Sequence, residues 1–186
     1  AQGKKAAPYK RSPEQELDAA LLSIGVKPED IEYVIFTHLH WDHAANNHFF
    51  PKAKLLCQRK EWESLHDPKY SSKGYELDNV LQYKYELLDG DQEVVKGVSV
   101  ILTPGHTLGM QSVVVDTEIG KVICTGDLVT LRQSLTYDPP RFNALLYDDS
   151  AREEMQQSLN KVLAISRYIL PGHDPEVFTP GMGLKG

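Results

Sequence analysis

The stretch Thr37-His38-Leu39-His40-Trp41-Asp42-His43 decides how this chain is read. It follows the largely apolar run Ile31 to Phe36 and places three histidines and one aspartate within six positions. Buried imidazoles and carboxylates need partners, so these four cannot all be ordinary core residues. Side chains alternate along an extended segment, which points His38, His40 and Asp42 to one side of a strand end. His43 joins them as the chain turns into a helix. Imidazole nitrogen and carboxylate oxygen are zinc donors at about 2.0–2.2 Å, and zinc sites that perform chemistry keep a position open for water. A lone histidine reads as structural, whereas this spacing reads as a metal site.

Three later loops repeat one pattern, in which an apolar strand is followed by glycine and a metal-competent side chain. They are Thr103-Pro104-Gly105-His106-Thr107, Thr125-Gly126-Asp127 and Leu170-Pro171-Gly172-His173-Asp174. Glycine lets the backbone turn tightly, so the three side chains can converge on a shared point. Thr-Gly-Asp or Pro-Gly-His alone would be an ordinary surface turn; the recurrence carries the signal. His48 and His66 lie outside the pattern and read as non-ligands. Asp174, next to His173, is either a carboxylate that orients the imidazole or a cap for its own loop.

Composition limits the alternatives. A chain of 186 residues with 41% hydrophobic content can bury one real core, and one domain spanning 1–186 is expected. The formal net charge of −6, without any Lys/Arg block, argues against a nucleic-acid surface. Cys57 and Cys124 are the only cysteines, each inside an apolar run, and read as small buried hydrophobes rather than a disulfide. No apolar run reaches membrane-spanning length, and Ala1 to Arg11 has no signal-peptide core, so a cytoplasmic location is the expectation. The sequence starts at Ala1 rather than Met, which leaves a processed or missing N-terminus open.

Along the chain, the first eleven residues read as a flexible arm. Ser12-Pro13-Glu14-Gln15 starts a helix by a capping box, with Leu17, Ala20, Leu21 and Ile24 as its apolar stripe and Gly25 as its end. Strands are expected at Glu32 to Phe36, Lys54 to Cys57, Tyr85 to Leu88, Gln92 to Val95, Val98 to Leu102, Gln111 to Asp116, Lys121 to Thr125 and Tyr168 to Leu170. Short helices are expected at His43 to Phe50 and Arg59 to Leu65. Asp67 to Tyr85 reads as an irregular excursion, either a lip over the site or plain surface. Ser150 caps a helix to about Ile165 whose inner face is Met155, Leu159, Val162 and Leu163.

The set His38, His40, Asp42, His43, His106, Asp127 and His173, in this order, resembles the complete metal signature of the metallo-β-lactamase superfamily. The resemblance implies an α/β fold of αββα sandwich type. It also implies a first metal held by His38, His40 and His106, a second by Asp42, His43 and His173, and Asp127 bridging both. Two Zn2+ are expected, with Fe, Mn or Co as other divalent choices. Two metals sharing a carboxylate and a water lower the water pKa from about 15.7 towards about 7, giving a hydroxide that attacks a polarised carbonyl. Asp42 is the expected catalytic residue, taking up the proton of the attacking water and passing it to the leaving oxygen.

The runs His40 to Asn47, Gln58-Arg59-Lys60-Glu61 and Leu170 to Pro175 are similar to the N-acyl homoserine lactonase group. A lactone or related ester is therefore the expected substrate, with quorum quenching as the implied role. His40 in place of glutamate argues against the diiron oxygen-reducing branch, and Asp127 in place of cysteine against a penicillinase. One departure stands out: several lactonases carry a tyrosine three positions beyond the bridging aspartate, where this chain has Thr130, with Tyr137 or Tyr147 as substitutes. Other readings are a glyoxalase-II-like thioesterase, a mononuclear iron sulfur dioxygenase using the first triad, and a non-catalytic metal-binding module. Only one helix and one strand precede His38, so the sandwich is expected to lack part of its N-terminal sheet. The expectation is that the chain is a fragment or that another chain supplies the missing N-terminal segment, with a homodimer as the other expected partner.

Overall fold

The structure is a computed structural model that describes residues 12–137, 140, 142 and 149–178. The expected N-terminal arm and Tyr147 lie outside the described residues. Two sheets carry the fold. The first is all parallel, in the order β1 (Tyr33–Ile35), β2 (Lys54–Gln58), β3 (Tyr85–Leu88). The second runs β4 (Gln92–Val95), β5 (Val98–Leu102), β6 (Gln111–Thr117), β7 (Gly120–Gly126), β8 (Tyr168–Pro171). It is antiparallel except for the parallel β7–β8 pair. Parallel neighbours need a crossover, and the helix α5 (Asp149–Ile165) supplies the one between β7 and β8.

Each sheet has its own apolar core. Against the second sheet, Met155, Leu159 and Val162 of α5 cluster with Ile101, Val114, Ile123 and Ile169. These helix residues recur at i, i+4 and i+7, the spacing of one face. Leu163, expected on that face, is exposed, and Val162 alone of the two takes the covered position. Ser150 lies within the helix rather than capping it, because α5 already begins at Asp149. On the first sheet, Phe36, Leu39, Leu55, Cys57, Leu65, Val80 and Tyr85 pack together, joining the sheet to α2 (Trp41–Ala44), α3 (Arg59–Ser64) and α4 (Leu77–Val80). The free Cys57 is fully buried and the free Cys124 half-buried, as their apolar surroundings in sequence imply.

The sheets are tied at the point where β1 ends. Gln111 donates its backbone N–H to Thr37 O (2.8 Å) and its side-chain amide to Phe36 O (2.7 Å). Gln58 donates to Gln111 Oε1 at 2.8 Å, so this buried amide pair fixes the strand end that launches the histidine motif. Buried polar groups without such partners would cost stability.

Strand expectations hold to within a residue or two, as do α3 and α5, while the two helices expected nearest the N-terminus break up. The first helix splits into a 3-10 turn, Pro13–Gln15, and α1 (Leu17–Ser23), because Glu16 takes an extended conformation. Of its expected apolar stripe, Ala20 and Ile24 are exposed and Leu17 and Leu21 are only partly buried. The helix expected from His43 to Phe50 is α2 followed by a separate 3-10 turn, Asn47–Phe49. Among the described residues, no helix is long and apolar enough to cross a membrane.

Candidate metal centre

All four ligand-bearing loops leave the C-terminal ends of strands on one side of the molecule: His38 follows β1, His106 β5, Asp127 β7 and His173 β8. That end is where α/β folds place their sites. The structure brings all seven expected residues together, from positions 38 to 173. His48 and His66 are exposed and belong to none of the donor groups formed by the described residues.

The distances separate two donor sets. His40 Nδ1 lies 3.1 Å from His38 Nε2 and 3.1 Å from His106 Nε2, so three ring nitrogens face one point. Three nitrogens tetrahedrally placed around a cation at about 2.0–2.1 Å would stand roughly 3.3–3.4 Å apart. The arrangement fits that spacing. On the other side, His43 Nε2 and His173 Nε2 lie 3.6 and 3.5 Å from Asp42 Oδ2. Asp127 stands between the sets and faces both, its Oδ2 3.3 Å from His106 Nε2 and its Oδ1 3.2 and 3.0 Å from the Nε2 atoms of His43 and His173.

Electrostatics point the same way. Burial lowers the pKa of the His38 imidazole well below its ordinary value, with the neighbouring His43, His40 and His106 adding to the effect. His40 is pushed down to about 3, by burial first and His106 second. Both are therefore neutral at pH 7, the form that binds metal. Burial alone would raise the Asp127 carboxyl, but His173 and His43 against it pull it far below the usual carboxylate range. The Asp127 carboxylate, 3.0 Å from His173 Nε2, raises the pKa of that imidazole. His43 Nε2 and Asp127 Oδ1 are buried side by side in a geometry that closes no hydrogen bond. Buried polar atoms are rarely left so, and a cation between them would satisfy both. The donor set fits a pair of divalent cations.

Glycines shape the loops by two different means. Gly105 and Gly126 adopt positive φ (130° and 51°), as tight turns require. Gly172 answers to space instead, since a Cβ there would come within 2.8 Å of Asp127 Oδ1. Asp174 is a loop cap: it accepts from Arg132 N (2.7 Å) and Glu176 N (2.9 Å). Thr130 meets the site through its backbone, its carbonyl accepting from His173 N at 3.0 Å.

Three residues escaped the sequence reading. Gly74 and Tyr75, in the segment read as lip or surface, cover His40: Trp41 N donates to Gly74 O (2.9 Å), and the Tyr75 ring meets the His40 ring at 4.8 Å. Glu61 sits fully buried beneath the motif; burial raises its carboxyl pKa, and hydrogen bonds from Thr107, Leu39, Tyr75 and Gly109 offset only part of that rise. Its sequence signal was its place in the run Gln58-Arg59-Lys60-Glu61, where it is one of several charges on a short helix.

The family model of the metallo-β-lactamase superfamily matches residues 7–173. The chain belongs to that superfamily. An N-acyl homoserine lactonase of Bacillus cereus is 36% identical over 168 residues, covering 90% of this chain and 65% of the relative. Metallo-beta-lactamase domain-containing protein 1 of Xenopus laevis is 30% identical, over 91% of this chain and 64% of its own length. Among solved structures, an N-acyl homoserine lactone hydrolase with the product N-hexanoyl-L-homoserine bound at its catalytic metal centre superposes with a TM-score of 0.73 at 31% identity. That match covers 90% of this chain and 65% of the solved one. The chain thus spans just under two thirds of the length of these relatives. The α/β architecture expected from the seven-residue signature is the architecture of this superfamily.

Proposed function

We propose that this chain is a two-metal hydrolase that opens a lactone of the N-acyl homoserine type, or a related ester. The observation that carries the proposal is the two-faced Asp127 carboxylate, set between a three-histidine group and an Asp42, His43, His173 group. In this reading His38, His40 and His106 hold one cation, Asp42, His43 and His173 the other, and Asp127 touches both. Zinc is the preferred ion, because neutral imidazole and carboxylate donors at this spacing suit it, with Fe, Mn or Co as substitutes. A pair of such cations would supply Lewis acidity towards a carbonyl oxygen and would make water acidic enough to react at neutral pH.

The chain's own groups supply the rest. Burial keeps His38 and His40 neutral at pH 7, and His173 and His43 hold Asp127 ionised against the opposing effect of burial, the forms that bind metal. Asp42, with its side chain 30% exposed, is the carboxylate on the solvent side of the cluster. It takes up the proton released when water adds to the carbonyl and returns it to the leaving oxygen. Tyr75 and Gly74 wall the His40 side against water. The similarity to lactonases favours a cyclic ester over an acyl thioester.

The test is turnover by protein loaded with two equivalents of zinc. N-acyl homoserine lactones, simple esters and an acyl-glutathione are offered in parallel, with acid release followed by pH indicator. Lactone opening that a chelator abolishes and zinc restores is the expected result. Faster hydrolysis of the thioester would move the assignment to a thioesterase, and a two-metal protein inert to all three would refute hydrolysis.

A further inference from the structure

Glu61 is a fully buried carboxylate that belongs to none of the donor groups among the described residues, yet every segment holding the three-histidine group is anchored to it. Its Oε1 accepts from Leu39 N (2.9 Å), the residue between His38 and His40, and from Tyr75 Oη (2.9 Å), whose ring lies against His40. Its Oε2 accepts from Thr107 Oγ1 (2.6 Å), next to His106, and from Gly109 N (3.3 Å). Two backbone N–H groups and two hydroxyls converge on its two oxygens, and a carboxylate can accept from all four at once. Hydrogen bonds to a charged acceptor are roughly twice as strong as neutral ones, and these replace the water a buried anion gives up.

The local sequence is built around this contact. Glu61 projects from the first turn of α3, directly after β2, so sheet one carries it to the level of the motif. Gly109 has no side chain because a Cβ there would overlap the Glu61 backbone. The carboxylate therefore bridges the β1 loop, the β5 loop and the segment over His40, three pieces of chain far apart in sequence.

We propose that Glu61 is a positioning residue that presets His38, His40 and His106 for their cation. The inference rests on the metal-centre reading above and concerns the three-histidine set alone. Without the carboxylate the two loops lose their common anchor, and the three nitrogens, now 3.1 Å apart in sequence of contact, relax from the spacing one ion requires. Partners that orient ligands in this way typically change metal affinity by about 10–100-fold. Glutamine at 61 would turn an NH2 towards two donors, and a backbone N–H, unlike a hydroxyl, cannot rotate away.

The experiment is cobalt and zinc titration of wild-type, Glu61→Gln, Thr107→Val and Tyr75→Phe proteins, following the cobalt absorption bands and, separately, urea unfolding of the metal-free forms. The wild type should take up cobalt. Glu61→Gln should weaken the tightest binding step by about tenfold or more and change the cobalt bands. A role confined to stability would lower the urea midpoint and leave the bands unchanged. If Glu61→Gln folds and keeps both the affinity within twofold and the spectrum, the proposal is overturned while the metal centre stands. Should Glu61→Gln fail to fold, Thr107→Val and Tyr75→Phe decide, since each removes one donor; unaltered bands in both would overturn it. A wild type that binds no cobalt would overturn the metal-centre reading itself.

Discussion

Replacing Gly172 by alanine tests the geometry of the centre with a single methyl group. The residue does not use left-handed backbone, so alanine brings no conformational strain; space is the sole objection. Its Cβ would stand 2.8 Å from Asp127 Oδ1 and 2.8 Å from the Gly126 carbonyl carbon and oxygen, where ordinary contact begins near 3.4 Å. Asp127 or the β8 loop must therefore give way by about 0.6 Å, the difference of those two distances. Metal ligands tolerate about 0.2 Å, so the displacement is some three times the allowance at the carboxylate that both donor sets share. Overpacking of this kind costs roughly 1–3 kcal/mol of stability, and a 1 Å misplacement at a reacting centre costs about 100-fold in rate. We expect Gly172→Ala to melt a few degrees lower, to bind zinc about 10–100-fold more weakly, and to lose lactone turnover by a similar factor at saturating metal. Gly172→Ser should be worse. Zinc competition with a chromophoric chelator and initial-rate kinetics measure both effects. Alanine at 172 with zinc affinity and turnover within threefold of wild type would refute the placement of Asp127 between the two sets.

His106→Ala should leave one bound metal per chain instead of two by elemental analysis, with hydrolysis reduced at least about 100-fold; two retained ions would show that His106 is no ligand. Asp42→Asn should lower kcat by about 100- to 10,000-fold, the range for a lost general base, in protein that still carries metal, and a normal kcat would remove Asp42 from the proton path. The metal-free protein should weaken in acid. His40 is neutral in the fold down to about pH 3, against 6.5 for a free imidazole, so the unfolded chain binds more protons as pH falls from 6.5 towards 3. By pH 5 this one residue costs about 2 kcal/mol; His38 acts in the same direction, and His173, raised by Asp127, opposes. Urea titrations with chelator at pH 7 and pH 5 measure it, and equal midpoints would contradict the burial of neutral imidazoles.

The helical expectations failed where local pattern met tertiary packing. Leu163 fits an apolar period as well as Val162 does, but only the direction from which sheet two approaches α5 decides which of the two is covered. The stripe on α1 is likewise a helical pattern that tertiary packing covers only in part, with Ala20 and Ile24 left exposed. Strands were easier, because Asp89-Gly90 and Lys96-Gly97 mark turns by their own backbone chemistry, whatever packs around them.

By itself the sequence determined which side chains the site holds. His38, His40, Asp42, His43, His106, Asp127 and His173 each stand at the end of an apolar strand or just inside the turn after it, and turn chemistry acts within a few residues. Tertiary structure alone decided how those groups face one another. Asp127 divides its two oxygens between the donor sets because β7 lies between β6 and β8, and Gly172 lacks a side chain because the β8 loop crosses that carboxylate. Glu61 shows the limit most plainly. In Gln58-Arg59-Lys60-Glu61 it reads as one more charge on a short helix, and its surroundings come from positions 39, 75, 107 and 109. Those positions meet only when the two sheets pack, so no local pattern can carry the contact.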